Sequence, residues 1–183
     1  MTDALSNPYR GLRPYTQADA DCFFGRRRLT QRLIDRVQSG APRLLLAGPC
    51  GSGKTSLVQA GLLPALAGLS RRGVVLAHPG LDPFEQLARQ GLPGAAEDLA
   101  GALSRWAAPL SPLLIVDHAE ELALGELGLS QRNLLGQLAQ CAAAGMTVLL
   151  VLRADCQDAV AAAAPDLTPW LEAPAVYVPP SLD

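Results

Sequence analysis

Three observations predict an α/β fold. Strand-like and helix-like segments alternate along the chain, the strand-like segments are continuous apolar runs, and a glycine-rich loop joins the first strand to the helix after it. Continuous apolar runs mark strands buried on both faces, as in a parallel sheet covered by helices on each side. The expected architecture is a three-layer α/β/α sandwich around a mostly parallel five-stranded sheet. Ligand in such a sheet lies outside the carboxyl ends of the strands.

Residues 1–22 are polar, are broken by Pro8 and Pro14, and read as an extended lead-in; residues 23–183 read as one core domain. Phe23-Phe24-Gly25-Arg26 opens a helical pattern in which Leu29, Leu33 and Val37 recur, and Ser39-Gly40-Ala41-Pro42 ends it. Arg43 to Ala47 is the first strand. The helix after the glycine-rich loop starts with Thr55 to Ala60 and runs toward Pro64, which should kink or stop it. Val74 to Ala77 reads as the second strand, and 82–106 as helix interrupted at Gly91 to Gly94. Leu113 to Val116 is a third strand ending at Asp117. A helix from Gln131 to Ala143 stops at Gly145. Thr147 to Leu152 is a fourth strand ending at Arg153, a short alanine-rich helix follows, and Ala175 to Val178 is a fifth strand halted by Pro179-Pro180.

The chain's 183 residues suit one substantial core, and with half of them apolar and 17% charged they exclude a disordered chain. A net charge of −2 with no long basic run argues against a nucleic-acid partner. Arg26-Arg27-Arg28 is too short to change that and reads as a solvated helix start. No apolar stretch is long enough to span a bilayer, and the N-terminus lacks the pattern of a secretory signal. Cys22, Cys50, Cys141 and Cys156 show no metal or disulfide spacing, so free thiols in a reducing cytoplasm are expected.

Gly48-Pro49-Cys50-Gly51-Ser52-Gly53-Lys54-Thr55, followed by Ser56, fits the phosphate-cradling P-loop pattern G-x-x-x-x-G-K-[ST]. Lying between strand and helix, it gathers backbone N–H groups and a helix N-terminus around one point, where they neutralise phosphate oxygens. Lys54 is expected on the β- and γ-phosphates and the Thr55 hydroxyl on Mg²⁺. Gly51 and Gly53 permit backbone conformations and close approach that a side chain would block. Cys50 reads as a small filler, although its oxidation would block nucleotide.

Asp117 ends a strand at the same sheet edge and is the expected second metal ligand. Where many ATPases carry a water-orienting carboxylate, this chain has His118, so Glu120 or Glu121 is left for that task; both equally suit the positive end of the following helix. His78 reads as a strand-end residue. Arg153 is placed to sense a γ-phosphate, the alternative being an ion pair with Asp155 or Asp158.

Asn7 to Leu12, Phe23 to Arg26, Gly48 to Leu66, Ile115 to Leu122 and Leu152 to Asp155, in that order, closely resemble the novel STAND NTPase family, bacterial signalling relatives of the AAA+ ATPases. The resemblance implies an ATP-driven switch with Gly25 and Arg26 near the adenine, Lys54 and Thr55 on phosphate and Mg²⁺, Asp117 completing the metal site and Arg153 as first sensor. It also implies protein partners: further copies of itself, an effector ahead of the domain, and a winged-helix lid and repeat-built sensor behind it, often in antiviral defence. The sequence contains none of these flanking parts, so it reads as an excised core or a domain that depends on another chain. It departs from the family at His118 and Ala119, usually Gln and an aromatic, and at Arg27, usually acidic.

The expected activity is ATP binding with slow hydrolysis, since groups supplied by a neighbour or lid are worth about 10³–10⁵ in rate. The alternatives are an interaction module that has kept the fold, which His118 favours, and a small-molecule kinase, which would need a basic lid. The lack of an Asn-Lys-x-Asp motif leans toward ATP over GTP.

Overall fold

The computed structural model describes residue 11, residues 13–124 and residues 127–180. Residues 1–10 of the lead-in, with most of the Asn7 to Leu12 motif, lie outside the described residues.

Five strands form one sheet, β1 (Arg43–Gly48), β2 (Arg71–Leu76), β3 (Ser111–Val116), β4 (Thr147–Arg153) and β5 (Val176–Tyr177), in the order β2-β3-β4-β1-β5. Every pairing among the described residues is parallel, as the α/β/α expectation requires. The register sets Leu44 to Gly48 beside Leu149 to Arg153, and Leu113 to Val116 beside Thr147 to Leu150.

Burial explains the apolar runs. Leu45, Ala47, Leu114, Val116, Val148, Leu150 and Leu152 face one core, while Leu44, Leu46, Leu113, Ile115, Leu149 and Val151 face the other. The first core is covered by α4 (Pro83–Arg89), α5 (Leu99–Ala107), α6 (Leu129–Ala143), α7 (Gln157–Ala163) and α8 (Thr168–Leu171). The second is covered by α1 (Arg27–Gln38), which buries Leu29, Leu33 and Val37 as their spacing predicts, and by the helix that follows the phosphate loop.

That second helix differs from expectation. It begins as α2 (Lys54–Ser56), widens into a π-helical stretch at Leu57–Leu62, and returns to α geometry as α3 (Leu63–Ala65). Pro64 therefore does not stop it: ahead of the proline the bonding is i→i+5, with Leu63 N–H donating to the Val58 carbonyl, and the helix runs on through Ala65. A 3₁₀ turn, Leu66–Leu69, ends the run.

The lead-in also departs from expectation, because Gln17–Cys22 winds into a 3₁₀ helix rather than staying extended. Thr16 and Asp19 cap it reciprocally, and the Tyr15 N–H donates to Ser56 Oγ at 3.1 Å, tying the segment to the helix beyond the phosphate loop. Elsewhere the turn chemistry follows the sequence. Asp82 and Asp98 cap α4 and α5, with left-handed Gly91 and Gly94 between them, and left-handed Gly145 closes α6.

Candidate functional site

The parallel sheet brings the carboxyl ends of β1, β3 and β4 together. Because β4 lies between β1 and β3, Arg153 at its end pairs with Gly48, and Asp117 follows Val116 on the far side.

The loop after β1 is shaped by its glycines. At Gly48 an added Cβ would meet the Val178 carbonyl oxygen at 2.5 Å and Ser52 Oγ at 2.9 Å, so any side chain would push the loop off β5. Gly51 and Gly53 adopt φ of +72° and +87°, the left-handed region that other residues enter at a cost, and at Gly53 the loop turns into the helix. Lys54 is the only lysine of the chain. Its ammonium donates to the Gly48 and Pro49 carbonyls at 2.9 and 2.8 Å. Burial lowers its pKa below the usual lysine value, opposed first by Glu120 and then by Asp117. The cation and both carboxylates thus share one electrostatic environment.

Asp117 is buried, 3% exposed, with Oδ1 accepting the His118 N–H at 2.9 Å. His118 has a φ of 53°, a left-handed turn uncommon for a side-chain-bearing residue, and the reversal separates the residues after it. Its ring stays beside Asp117, Nδ1 lying 3.6 Å from Oδ1 and 3.0 Å from the Ala77 carbonyl, and the imidazole stacks on His78, centroids 4.8 Å apart. The two glutamates then part. Glu120 is 6% exposed, with Oε2 accepting the Arg153 N–H at 3.3 Å, and its charge is the first of those that favour the Lys54 ammonium. Glu121 points outward, Oε1 lying 2.9 Å from His78 Nδ1 and Oε2 accepting the Gly80 N–H at 3.0 Å. Glu121 fastens the β2–α4 loop and is not brought to the phosphate loop, a distinction that depends on the partners at 78–80 and that no spacing in the sequence carries.

The Arg153 guanidinium grips Asp155 through Nε–Oδ1 at 3.1 Å and Nη2–Oδ2 at 2.5 Å, so the ion-pair alternative is present. Both groups are solvent-exposed, and such pairs are worth little, so a phosphate competes for the arginine on good terms. Arg26 is buried, and its Nη2 donates to the Ser52 and Pro179 carbonyls at 3.1 and 3.0 Å. It therefore supports the phosphate loop from behind, a role that sequence reasoning missed. Gly25, with a φ of +77°, precedes it.

Thr55 lies at the first turn of α2, half-buried, on the helix that the loop leads into. Among the described residues no group of three or more His, Cys, Asp or Glu is placed to hold a metal alone. Mg²⁺ needs only one or two protein ligands and completes its shell with phosphate oxygens and water, so a hydroxyl such as Thr55 and a carboxylate such as Asp117 are the donor types it takes. Of the cysteines, Cys50 is exposed, while burial pushes the Cys141 thiol up to about 12 and raises Cys156 as well. No helix of the described residues is long and apolar enough to cross a membrane.

Three comparisons place this geometry among known proteins. The family model of Novel STAND NTPase 1 matches residues 8–183. No curated protein matches the chain. Among solved structures, the Walker-type ATPase PABY2304 of Pyrococcus abyssi superposes with a TM-score of 0.57 at 15% identity, covering 92% of this chain and 57% of that one. The Aeropyrum pernix ORC2 protein in its ADP form gives 0.59 at 16% identity, covering 93% of this chain and 50% of that one. At these identities the likeness is one of fold, and the chain spans about half the length of the solved structures it matches.

Proposed function

The chain belongs to the Novel STAND NTPase 1 family, and on that premise we propose that it is a Mg²⁺-dependent, ATP-binding switch with slow intrinsic hydrolysis. The observation that carries the reading is the setting of its single lysine: Lys54, at the mouth of a glycine-shaped loop, donates to the Gly48 and Pro49 carbonyls and feels Glu120 and Asp117 of the turn after β3. The loop amides and the helix N-terminus hold phosphate oxygens, and Lys54 exchanges its two loop carbonyls for the β- and γ-phosphates. Thr55 and Asp117 hold the metal, which when bound neutralises charge on the phosphates. Glu120 orients the attacking water and takes its proton, and Arg153 leaves Asp155 to report the γ-phosphate.

Slow turnover follows from how exposed the Arg153 side chain is, since groups brought by a neighbour or lid supply much of the rate in such domains. The same reading makes the domain a cytoplasmic signalling or defence module that responds to nucleotide by associating with copies of itself or with effector and sensor domains. A second reading, a docking module that has kept the fold, is favoured by His118, whose ring is turned to Ala77 where a catalytic carboxylate often stands.

Thermal unfolding with and without Mg-ATP tests the proposal. Nucleotide at about 100 times its dissociation constant adds about 2.7 kcal/mol, a rise in Tm of about 5–10 °C at this size. Lys54→Ala should remove the rise. A full shift in that variant would place any bound nucleotide elsewhere, and no shift in the wild type would favour the docking module.

A further inference from the structure

Arg26 precedes α1, yet its side chain is 6% exposed and points into the protein. Both of its hydrogen bonds go to main-chain carbonyls, Ser52 inside the phosphate loop and Pro179 just beyond β5. Nη1 is buried with no partner among the described residues. Among these residues the guanidinium is held by neutral carbonyls, an arrangement that is costly for a buried charge. Its position has two consequences. The Ser52 carbonyl and the Gly53 N–H belong to one peptide, so a charge-assisted bond to the carbonyl fixes that plane and polarises the N–H at its other end. Pro179, held by the same nitrogen, walls an open groove of about 400 Å³ together with Arg28, Leu29, Arg32 and Tyr177.

We propose that Arg26 is a positioning residue that couples the phosphate loop to the chain leaving β5. It sets the Ser52–Gly53 peptide for anion binding and holds Pro179 to it, so that loading the loop with a nucleoside triphosphate tightens the Pro179 wall of the groove. Coupling of this kind is reciprocal: whatever engages the groove changes nucleotide affinity by the same factor. The proposal rests on the nucleotide-binding reading.

Hydrogen exchange of the full chain, with and without saturating Mg-ATP, tests it in the wild type, Arg26→Gln and Arg26→Lys. In the wild type, exchange should slow about tenfold at residues 50–56 and also at 175–178, on either side of the Arg26 bridge. Arg26→Gln should keep nucleotide-dependent protection at 50–56, at higher nucleotide concentration, and lose it at 175–178. Arg26→Lys, which keeps the charge but not the fork that spans two carbonyls, should recover affinity better than protection at 175–178. A merely structural role would change protection at 175–178 whether or not nucleotide is present. The coupling is overturned if a protected loop in the wild type leaves 175–178 unchanged, or if either variant protects 175–178 as the wild type does. Should Arg26→Gln fail to fold, the wild-type and lysine arms decide. No protection at 50–56 in the wild type would instead overturn the nucleotide reading, and the coupling with it.

Discussion

Two turns leave the same edge of the sheet, one after β1 and one after β3, and they are built on opposite principles. The turn at 48–54 is made of main chain: Gly48 fits because it has no Cβ, Gly51 and Gly53 take left-handed angles, and Lys54 is its only charged side chain. The turn at 117–122 is made of side chains. Asp117, Glu120 and Glu121 lie within five positions, yet one accepts the N–H that follows it, one accepts the Arg153 N–H and one lies against His78. A main-chain site is specified by local spacing, whereas a side-chain site is specified by what packs around it.

The largest expected effect breaks the second turn chemically. Glu120→Gln should lower ATP hydrolysis about 10²-fold, the lower end for loss of a general base, while the nucleotide-induced rise in Tm persists. Single-turnover hydrolysis measured beside the thermal shift would show it. Undiminished turnover would remove Glu120 from the chemistry and with it the reading of this turn as catalytic.

The first turn breaks sterically. Gly48→Ala places a methyl group against the Val178 carbonyl and Ser52 Oγ, and overpacking of this kind costs about 1–3 kcal/mol. Urea unfolding should show that loss, with nucleotide affinity reduced as well because the loop moves off β5. A variant as stable as the wild type would mean that the loop and β5 do not touch as described.

The contrast also explains what was legible in the sequence. The five strands, the break at Gly91 to Gly94 and the phosphate loop follow from periodicity and from residues whose backbone chemistry is local. Of the two outcomes expected at Pro64, a kink or a stop, the helix does not stop there: a π-helical stretch that buries Leu57, Val58 and Leu62 carries it through. The roles of Glu120 and Glu121 were not legible, because adjacent glutamates differ only in their neighbours, His78 and Gly80 for one and Arg153 for the other. Arg26 was hidden for the same reason. Its contacts lie 26 and 153 residues away, and in sequence it is one of three consecutive arginines, the other two exposed.

A smaller effect sharpens the comparison. Glu121→Gln should leave hydrolysis unchanged and cost no more than about 1 kcal/mol, through weakened bonds to His78 and the Gly80 N–H. Steady-state hydrolysis with denaturant unfolding separates it from Glu120→Gln. Similar losses of turnover in both variants would mean that the two glutamates do not divide the work.

The smallest effect reads the contact between the turns. Burial lowers the Lys54 pKa while Glu120, then Asp117, pull it back up. The unfolded chain, where the lysine titrates normally, therefore binds more protons below pH 10.5 and above the folded value, so this group makes stability rise with pH across that window. Since Lys54 is the only lysine, an amine-reactive reagent with peptide mapping reports its titration directly, separated from the N-terminal amine. Labelling of the ligand-free wild type should reach half its maximal rate at lower pH than an ordinary lysine does. In Glu120→Gln the midpoint should fall further, because the largest opposing charge is gone and the desolvation remains. Mg-ATP should slow labelling in both. An unmoved or raised midpoint in Glu120→Gln would show that the carboxylate does not face the ammonium, and the two turns would no longer form one site.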